Sequence, residues 1–122
     1  MSILFRELSY QVIGASFTVL TRLGCSLPES CYEQALMLEF ARLGIPAVHQ
    51  QYFDVYYDGA RVGHMYLDII VDNSIVLELK SADRIISLHE SQLLTYLRVS
   101  KLRVGYIVNF GYKSLQFRRM VL

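Results

Sequence analysis

One stretch of the chain, from Asp68 to Lys80, places charged side chains inside two strongly apolar runs. A short polar segment at residues 72–74 separates the runs, so the pattern predicts two strands joined by a tight hairpin. Side chains two positions apart on a strand share a face, so Glu78 and Lys80 point the same way. Asp68, on the neighbouring strand, can point there too. A charged group in an apolar strand is costly to bury unless it is paired or binds a metal ion.

The spacing alone leaves two interpretations of this stretch open. In the first, the two carboxylates are oxygen ligands for Mg²⁺ and the ammonium group lies beside them, which suits hydrolysis of a phosphodiester. In the second, Glu78 and Lys80 are solvated on the outer face of an edge strand, and the apolar side chains between them face inward. The surrounding sequence has to decide between the two.

Length and composition give the next expectations. A chain of 122 residues predicts one domain over residues 1–122. The hydrophobic content of 53% is high for this length and predicts an additional buried surface, most simply that of a homodimer. No apolar run approaches the ~18–20 residues that a membrane span needs, so we expect no membrane association. The N-terminal residues lack the features of a secretory signal, and a cytoplasmic location is therefore expected.

Charge is spread unevenly along the sequence. Residues 1–60 carry three arginines against six acidic residues, whereas residues 61–122 carry nine basic residues against five acidic ones. From residue 91 to the end there are six basic residues and no acidic residue. A basic surface of this kind suits a phosphate backbone, although it suits solubility equally well.

Hydrophobic periodicity and turn residues predict eight elements in the order α-α-β-β-β-α-β-β. The helices are expected over residues 3–23, 27–43 and 88–101, and the strands over residues 47–57, 62–71, 75–80, 104–110 and 115–121. The first three strands form an antiparallel meander. The third helix is then a crossover that returns the fourth strand parallel to the third.

Polar residues at the predicted helix ends suggest how each helix begins and stops. Ser26 with Glu29, and Ser87 with Glu90, have the spacing of a capping box, in which the two side chains bond each other's backbone N–H groups. Gly24 can cap the C-terminus of the first helix.

An α-β-β-β-α-β core with Asp on its second strand and Glu-x-Lys on its third resembles the PD-(D/E)XK nuclease superfamily. More closely, the chain resembles the small bacterial proteins named for their GxxExxY motif. The resemblance implies an α/β (α+β) fold: a restriction-endonuclease-like mixed sheet flanked by helices, with an extra N-terminal helix and a C-terminal strand. The matching segments cover residues 27–36, 67–71, 76–80, 89–97 and 105–110. Ser26 stands where the family has its motif glycine.

The resemblance implies a role for each residue of the acidic stretch. Asp68 and Glu78 would be ligands of Mg²⁺ or Mn²⁺, joined by the backbone carbonyl of Leu79. Lys80 would position or deprotonate the attacking water and offset charge in the transition state.

Two residues of the second helix carry alternative interpretations. The resemblance implies that Glu29 completes the metal site, whereas the local sequence predicts only that it closes the helix N-terminus. Tyr32 lies one turn further on the same face and could hydrogen-bond within the site. A tyrosine at helical spacing is, however, more often part of the core.

Three residues of the crossover helix would support the site. Gln92 and Tyr96, four positions apart, look like the Gln-x-x-x-Tyr motif of RecB-like nucleases, which lies beside the active site and contacts nucleic acid or orders the lysine. His89, one turn earlier, is interpreted either as a phosphate contact or as a partly exposed histidine at the helix start.

These patterns predict metal-dependent phosphodiester hydrolysis of nucleic acid, with DNA as the expected substrate. The alternative is a non-catalytic module that keeps the nuclease fold and binds nucleic acid or a protein partner. The chain contains no Gly-x-Ser-x-Gly, no phosphate-binding glycine loop and no dinucleotide fingerprint, so no nucleotide cofactor is expected.

Overall fold

The structure is a computed structural model that describes residues 4–122, and within them the predicted element order is confirmed. The helices are α1 (Arg6–Leu23), α2 (Glu29–Arg42) and α3 (Ser87–Ser100). The strands are β1 (Ala47–Tyr57), β2 (Ala60–Val71), β3 (Ile75–Lys80), β4 (Val104–Asn109) and β5 (Gln116–Val121). The predicted ends differ from these by no more than three residues, and residue 3 of the first predicted helix lies outside the described residues.

The five strands form one mixed sheet in the order β1-β2-β3-β4-β5. The pair β3–β4 is parallel, and the other neighbouring strands are antiparallel. The crossover through α3 therefore has the direction that the sequence predicts. The architecture is the α+β, restriction-endonuclease-like one, with an added N-terminal helix and C-terminal strand.

Two hydrophobic clusters cover the two faces of the sheet. The cluster on the α1 and α2 side includes Tyr32, Phe40 and Leu77, all fully buried. The cluster on the α3 side includes Leu93 and Leu97 of that helix. Because β3 and β4 lie in the middle of the sheet, nearly all their side chains are buried, and the hydrophobic runs noted in the sequence are the centre of the core. None of the described helices is both long and apolar enough to cross a bilayer.

The hairpin between β2 and β3 forms as predicted. Asp72 and Asn73 both have positive φ, at 49° and 51°. Two consecutive left-handed residues form the centre of a type I′ turn, which the N–H of Ser74 closes by donating to the carbonyl of Val71, and Asp and Asn tolerate that conformation better than most residues. The hydroxyl of Ser74 donates to the carbonyl of Asp72, which closes the turn.

The predicted capping box at the start of α2 is wrong. Ser26 has a positive φ of 68°, and its hydroxyl donates to the carbonyl of Gly111 instead of closing the helix. The helix begins after Pro28, which occupies the N-cap position. A contact with a loop 85 residues away in sequence thus determines how Ser26 is used, and Glu29 is left as the first helical residue.

The predicted capping box at the start of α3 is also wrong. Ser87 is already the first helical residue, because the helix starts after Ile86. The backbone N–H of Ile86 donates to Nδ1 of His89 at 3.1 Å. His89 therefore accepts the capping hydrogen bond that the sequence predicts for Glu90. The carboxylate of Glu90 instead pairs with Arg118.

The strand β1 changes faces at Gln50. His49 contacts Glu33 of α2, whereas Phe53 packs against the cluster on the α3 side. Residues four apart in a regular strand would share a face. Gln50 has a positive φ of 50°, and this left-handed residue reverses the alternation. Its neighbours His49 and Gln51 pair with Ile69 and Leu67, so the irregularity lies beside Asp68 at the edge of the candidate site.

Candidate active site

The strands β2 and β3 separate where the acidic residues lie. Their pairing runs from Val71 and Ile75 to Ile69 and Leu77, and both strands continue beyond that point. The carboxylate of Asp68 then accepts the backbone N–H of Leu79 at 2.8 Å. A side-chain oxygen thus replaces the ladder bond that the separated strand can no longer supply, and it fixes the carboxylate at the opening.

Glu78 carries a carboxyl group that is buried beside Asp68. Its side chain is on the central strand β3, and the residue is only 7% exposed. Among the described residues its Oε2 is buried and has no hydrogen-bond partner. Burial, followed by the neighbouring carboxyl of Asp68, raises the pKa of Glu78 to about 9, and the charge of Lys80 opposes this increase. The interpretation of Glu78 as a solvated residue on an edge strand is therefore wrong.

Lys80 is half-buried at the end of β3 and is oriented by α3. Its Nζ donates to Oε1 of Gln92 at 3.3 Å. Its charge also reaches both Glu78 and His89, since it lowers the pKa of each. The ammonium group is thus held between the acidic pair and the crossover helix, on the side of the sheet that α3 covers.

The other two residues predicted on α3 lie around the same group of charges. Burial raises the pKa of Tyr96, with further contributions from the charges of Glu78 and Asp68, so the phenol remains a hydrogen-bond donor. Burial lowers the pKa of His89, with a further contribution from Lys80. Because Nδ1 of His89 accepts from Ile86, its Nε2 is the ring nitrogen left for another partner.

Glu29 lies at the rim of the site and not in its interior. It is exposed, and it lines an open depression of about 290 Å³ together with Asp68 and Leu79. Its charge contributes to the raised pKa of Glu78, although less than the other causes do. Within residues 4–122, no three His, Cys, Asp or Glu side chains are grouped so that they could hold a metal ion. Glu29 is therefore near the acidic pair but does not complete a three-carboxylate cluster.

Tyr32 supports the loop that leads into α2. The residue is fully buried, and its ring stacks on Phe110 with 4.2 Å between ring centroids. Its hydroxyl donates to the carbonyl of Gly24 at 2.7 Å and accepts the N–H of Leu27 at 2.9 Å. These contacts match the core interpretation of Tyr32, and they hold the segment just before Glu29.

A polar network beside Asp68 was not predicted from the sequence. Glu33 is 8% exposed, and its two carboxylate oxygens contact Nε2 of Gln50 at 2.7 Å and Nδ1 of His49 at 3.2 Å. The same Nε2 lies 3.5 Å from Oδ1 of Asp68. The sequence did contain a signal, since Glu33 follows Glu29 by one helical turn and a His-Gln pair interrupts β1.

The loop after Lys80 is clamped from the neighbouring strand. The side chain of Asn109 donates to the carbonyl of Ala82 and accepts its N–H, both at 2.9 Å. It also accepts the N–H of Gly111 at 3.0 Å. Gly111 packs so closely on Ala82 that an added Cβ would overlap the backbone there. The Asn109 side chain therefore links the loop after β3 to the segment after β4, and this holds the end of β3 in place.

Comparison with known proteins identifies the family and the fold. A family model described as the PD-(D/E)XK nuclease superfamily matches residues 6–120, and the chain belongs to that superfamily. The crystal structure of SSO0001 is similar in fold, with a TM-score of 0.58 and 17% sequence identity. The similarity covers 96% of this chain and 59% of that chain, so this chain matches about three fifths of the longer one. No curated protein matches the chain.

The residues at the opening fit a divalent metal ion, which nucleases of this superfamily generally use. The buried Oε2 of Glu78 lacks any partner in the described part of the chain, and the Asp68 carboxylate faces the same carboxyl group. Two carboxylates are hard oxygen ligands of the kind that Mg²⁺ and Mn²⁺ prefer. A cation between them would also offset the burial of Glu78 and the neighbouring carboxyl of Asp68, which together keep Glu78 protonated.

Proposed function

We propose that this protein is a metal-dependent nuclease that hydrolyses phosphodiester bonds in nucleic acid, with DNA as its substrate. The observation that carries the proposal is the buried carboxyl of Glu78 beside Asp68 and Lys80, whose Oε2 has no hydrogen-bond partner in residues 4–122. Burying an ionisable group in this way costs stability and adds nothing to the core. Such a group is expected where catalysis needs it.

Asp68 and Glu78 are proposed as the side-chain ligands of Mg²⁺ or Mn²⁺, with the carbonyl of Leu79 as a third oxygen. The bound metal ion would polarise the phosphoryl group and lower the pKa of a water molecule. Asp68 is suited to this role because the N–H of Leu79 fixes its carboxylate. Glu29, at the rim of the same depression, is proposed to contribute once the metal ion is bound.

Lys80 is proposed to position the attacking water and to stabilise negative charge in the transition state. A unit charge about 4 Å from the reacting phosphoryl group contributes about 4 kcal/mol at an effective dielectric constant of ~20. The bond from Nζ to Gln92 restricts the ammonium group to the side of the acidic pair. Tyr96 and Nε2 of His89 are proposed to donate to phosphate oxygens of the substrate on the same side.

A second candidate function is binding without catalysis, by a nuclease fold that has lost its activity. One observation favours it: in residues 4–122 no three metal-binding side chains are gathered into one cluster. In that case the raised pKa of Glu78 would keep the pair singly charged without any metal ion. With the nuclease function we also propose membership of the GxxExxY group, a homodimeric state and a cytoplasmic location.

Calorimetric titration of Mn²⁺ into the purified protein distinguishes the two functions. We expect binding by the parent protein, at least tenfold weaker binding by Asp68→Asn, and no change in Asp83→Asn, in which an exposed loop carboxylate is neutralised. The titration is then repeated with a non-cleavable oligonucleotide present. Absence of binding in both titrations at millimolar Mn²⁺ would contradict the nuclease and favour the binding module.

A further inference from the structure

A second depression, of about 290 Å³, lies between α1 and the last two strands of the sheet. Arg6, Ser9 and Tyr10 line it from the helix, and Phe117 and Arg119 line it from β5. The strand β5 is at one end of the sheet order, whereas Asp68 lies on β2, and the two sites share no lining residue. The depression is therefore separate from the candidate active site.

Two polar groups in this pocket lack partners in the described part of the chain. Ser9 is 7% exposed, and its Oγ is buried without a hydrogen bond. Another buried serine on the same helix, Ser16, donates to the carbonyl of Val12 at 2.8 Å. The helix thus satisfies one buried serine internally and leaves the other, beside the pocket, unpartnered within the described residues. An unsatisfied buried group costs about 1–3 kcal/mol, so Ser9 is suited to an external partner.

Arg119 presents a second unsatisfied donor. Its Nη2 donates to the carbonyl of Leu4 at 3.1 Å, but its Nε is buried and unpartnered. Within residues 4–122, neither Arg119 nor Arg6 has a carboxylate within ion-pair distance, whereas Arg61 and Arg118 each have one. Two guanidinium groups at one pocket without a counter-ion favour an anion, and their planar forks match phosphate.

The remaining walls are aromatic. Tyr10 is 69% exposed and Phe117 is 44% exposed, so both offer ring surface to a ligand. Behind them, Tyr106 lies 6.4 Å from Phe117 between ring centroids. Planar rings stack on such surfaces, and this contact adds to the electrostatic attraction for the anion.

We propose that this pocket binds a nucleoside phosphate unit. The phosphate would lie between Arg6 and Arg119 and accept the hydroxyl of Ser9, and the base would stack on Tyr10 and Phe117. The volume is at the low end for ligand pockets, which suits one nucleotide. Two sources share this chemistry: a free mononucleotide and the 5′-phosphorylated end of a strand.

The test is calorimetric titration of deoxyadenosine 5′-monophosphate into the full chain with EDTA present, so that neither metal nor cleavage is involved. We expect saturable binding, weakened at least tenfold in Arg6→Gln and in Arg119→Gln and about threefold in Ser9→Ala. Arg103→Gln, at an exposed arginine outside the pocket, should bind as the parent does. Deoxyadenosine without phosphate should bind at least tenfold more weakly. Because Arg6 is exposed, its variant tests the proposal even if Arg119→Gln fails to fold.

Competition by oligonucleotides distinguishes the two sources. Stronger competition by a 5′-phosphorylated strand than by its 5′-hydroxyl counterpart would identify a strand end as the ligand, and equal weak competition would identify the free nucleotide. Asp68→Asn should bind the nucleotide as the parent does, which separates this site from the proposed active site. Absence of nucleotide binding, or equal affinity in the parent and both arginine variants, would overturn the proposal.

Discussion

The carboxylate of Asp68 accepts the backbone N–H of Leu79 at 2.8 Å, across two strands that have just stopped pairing. The acidic residue is thus held by the backbone of the strand that carries Glu78 and Lys80. Because this carboxylate has a structural role besides its proposed role as a metal ligand, different substitutions of Asp68 should separate the two roles.

Asp68→Asn and Asp68→Ala should therefore differ. The asparagine oxygen can still accept the N–H of Leu79, so we expect a Tm close to that of the parent but Mn²⁺ binding at least tenfold weaker. Alanine leaves that N–H unpaired and should lower the free energy of unfolding by about 1–3 kcal/mol. Thermal unfolding and calorimetry on both variants measure the two effects. Equal destabilisation by Asn and Ala would show that the hydrogen bond contributes little.

Glu78→Gln should stabilise the metal-free protein at alkaline pH. In the folded protein Glu78 keeps its proton up to about pH 9, whereas the unfolded chain loses it near 4.5. Between these values the folded state binds more protons, so the free energy of unfolding falls as pH rises, and the fall is complete above pH 9. Glutamine removes this dependence, and at pH 8.5 we expect a Tm about 5 °C higher, equivalent to about 1 kcal/mol. Glu7→Gln, at an exposed carboxylate, is the matched control.

Metal binding should release a proton from Glu78. Because burial and Asp68 raise the pKa of Glu78 to about 9, the carboxyl is protonated at pH 7.5 and must ionise to become a ligand. Calorimetric titrations of Mn²⁺ in buffers of different ionisation enthalpy should give release of about one proton, and the apparent affinity should rise about tenfold per pH unit below pH 9. If the binding enthalpy did not depend on the buffer, no proton would be released, and Glu78 would not ionise when the metal ion binds.

Lys80 and Gln92 should affect catalysis more than metal binding. Lys80→Ala removes the charge beside the phosphoryl group, and we expect a fall of at least about 100-fold in kcat on any cleaved nucleic acid. Gln92→Ala removes only the partner at 3.3 Å, with an expected fall of about tenfold. Lys113→Ala and Gln34→Ala, at exposed positions, are the controls. Cleavage by Lys80→Ala at the parent rate would exclude the proposed role.

Two glycine-to-alanine substitutions should change stability in opposite directions. At Gly111 the added methyl group would overlap the backbone of Ala82, so Gly111→Ala should lower the free energy of unfolding by more than about 2 kcal/mol. Gly14 is in the middle of α1 with open space around its Cα, so Gly14→Ala should raise it by about 0.5–1 kcal/mol. Chemical denaturation of the two variants and the parent measures both changes.

Alternation and turn chemistry were sufficient to predict the strands that carry the site. The boundaries of β1 and β3, the tight turn at Asp72 and Asn73, and the parallel return through α3 all follow from local pattern and chain direction. The helix starts did not follow, because Ser26 bonds to Gly111 and turns away from α2. The identity of a residue alone does not predict that its side chain will contact a loop distant in sequence.

The polar network around Glu33 was missed for a related reason. Gln50 reaches Glu33 and Asp68 only because its backbone is left-handed, and a non-glycine residue gives no sign of this in the sequence. A regular alternation through β1 would have placed its side chain differently. The site is therefore predictable where it depends on strand order, and not where it depends on a backbone irregularity.

The reversal of strand faces at Gln50 also divides the β1–β2 hairpin into two parts that differ in how extensively they pack against the core. The part near Ala47 and Val71 is packed in the core, whereas the distal part touches the rest of the protein chiefly through Phe53 and Met65. The distal part can accordingly change in length or sequence while the strands that carry the candidate site stay intact. The tip of this hairpin is therefore a suitable place to insert a new recognition element into this fold.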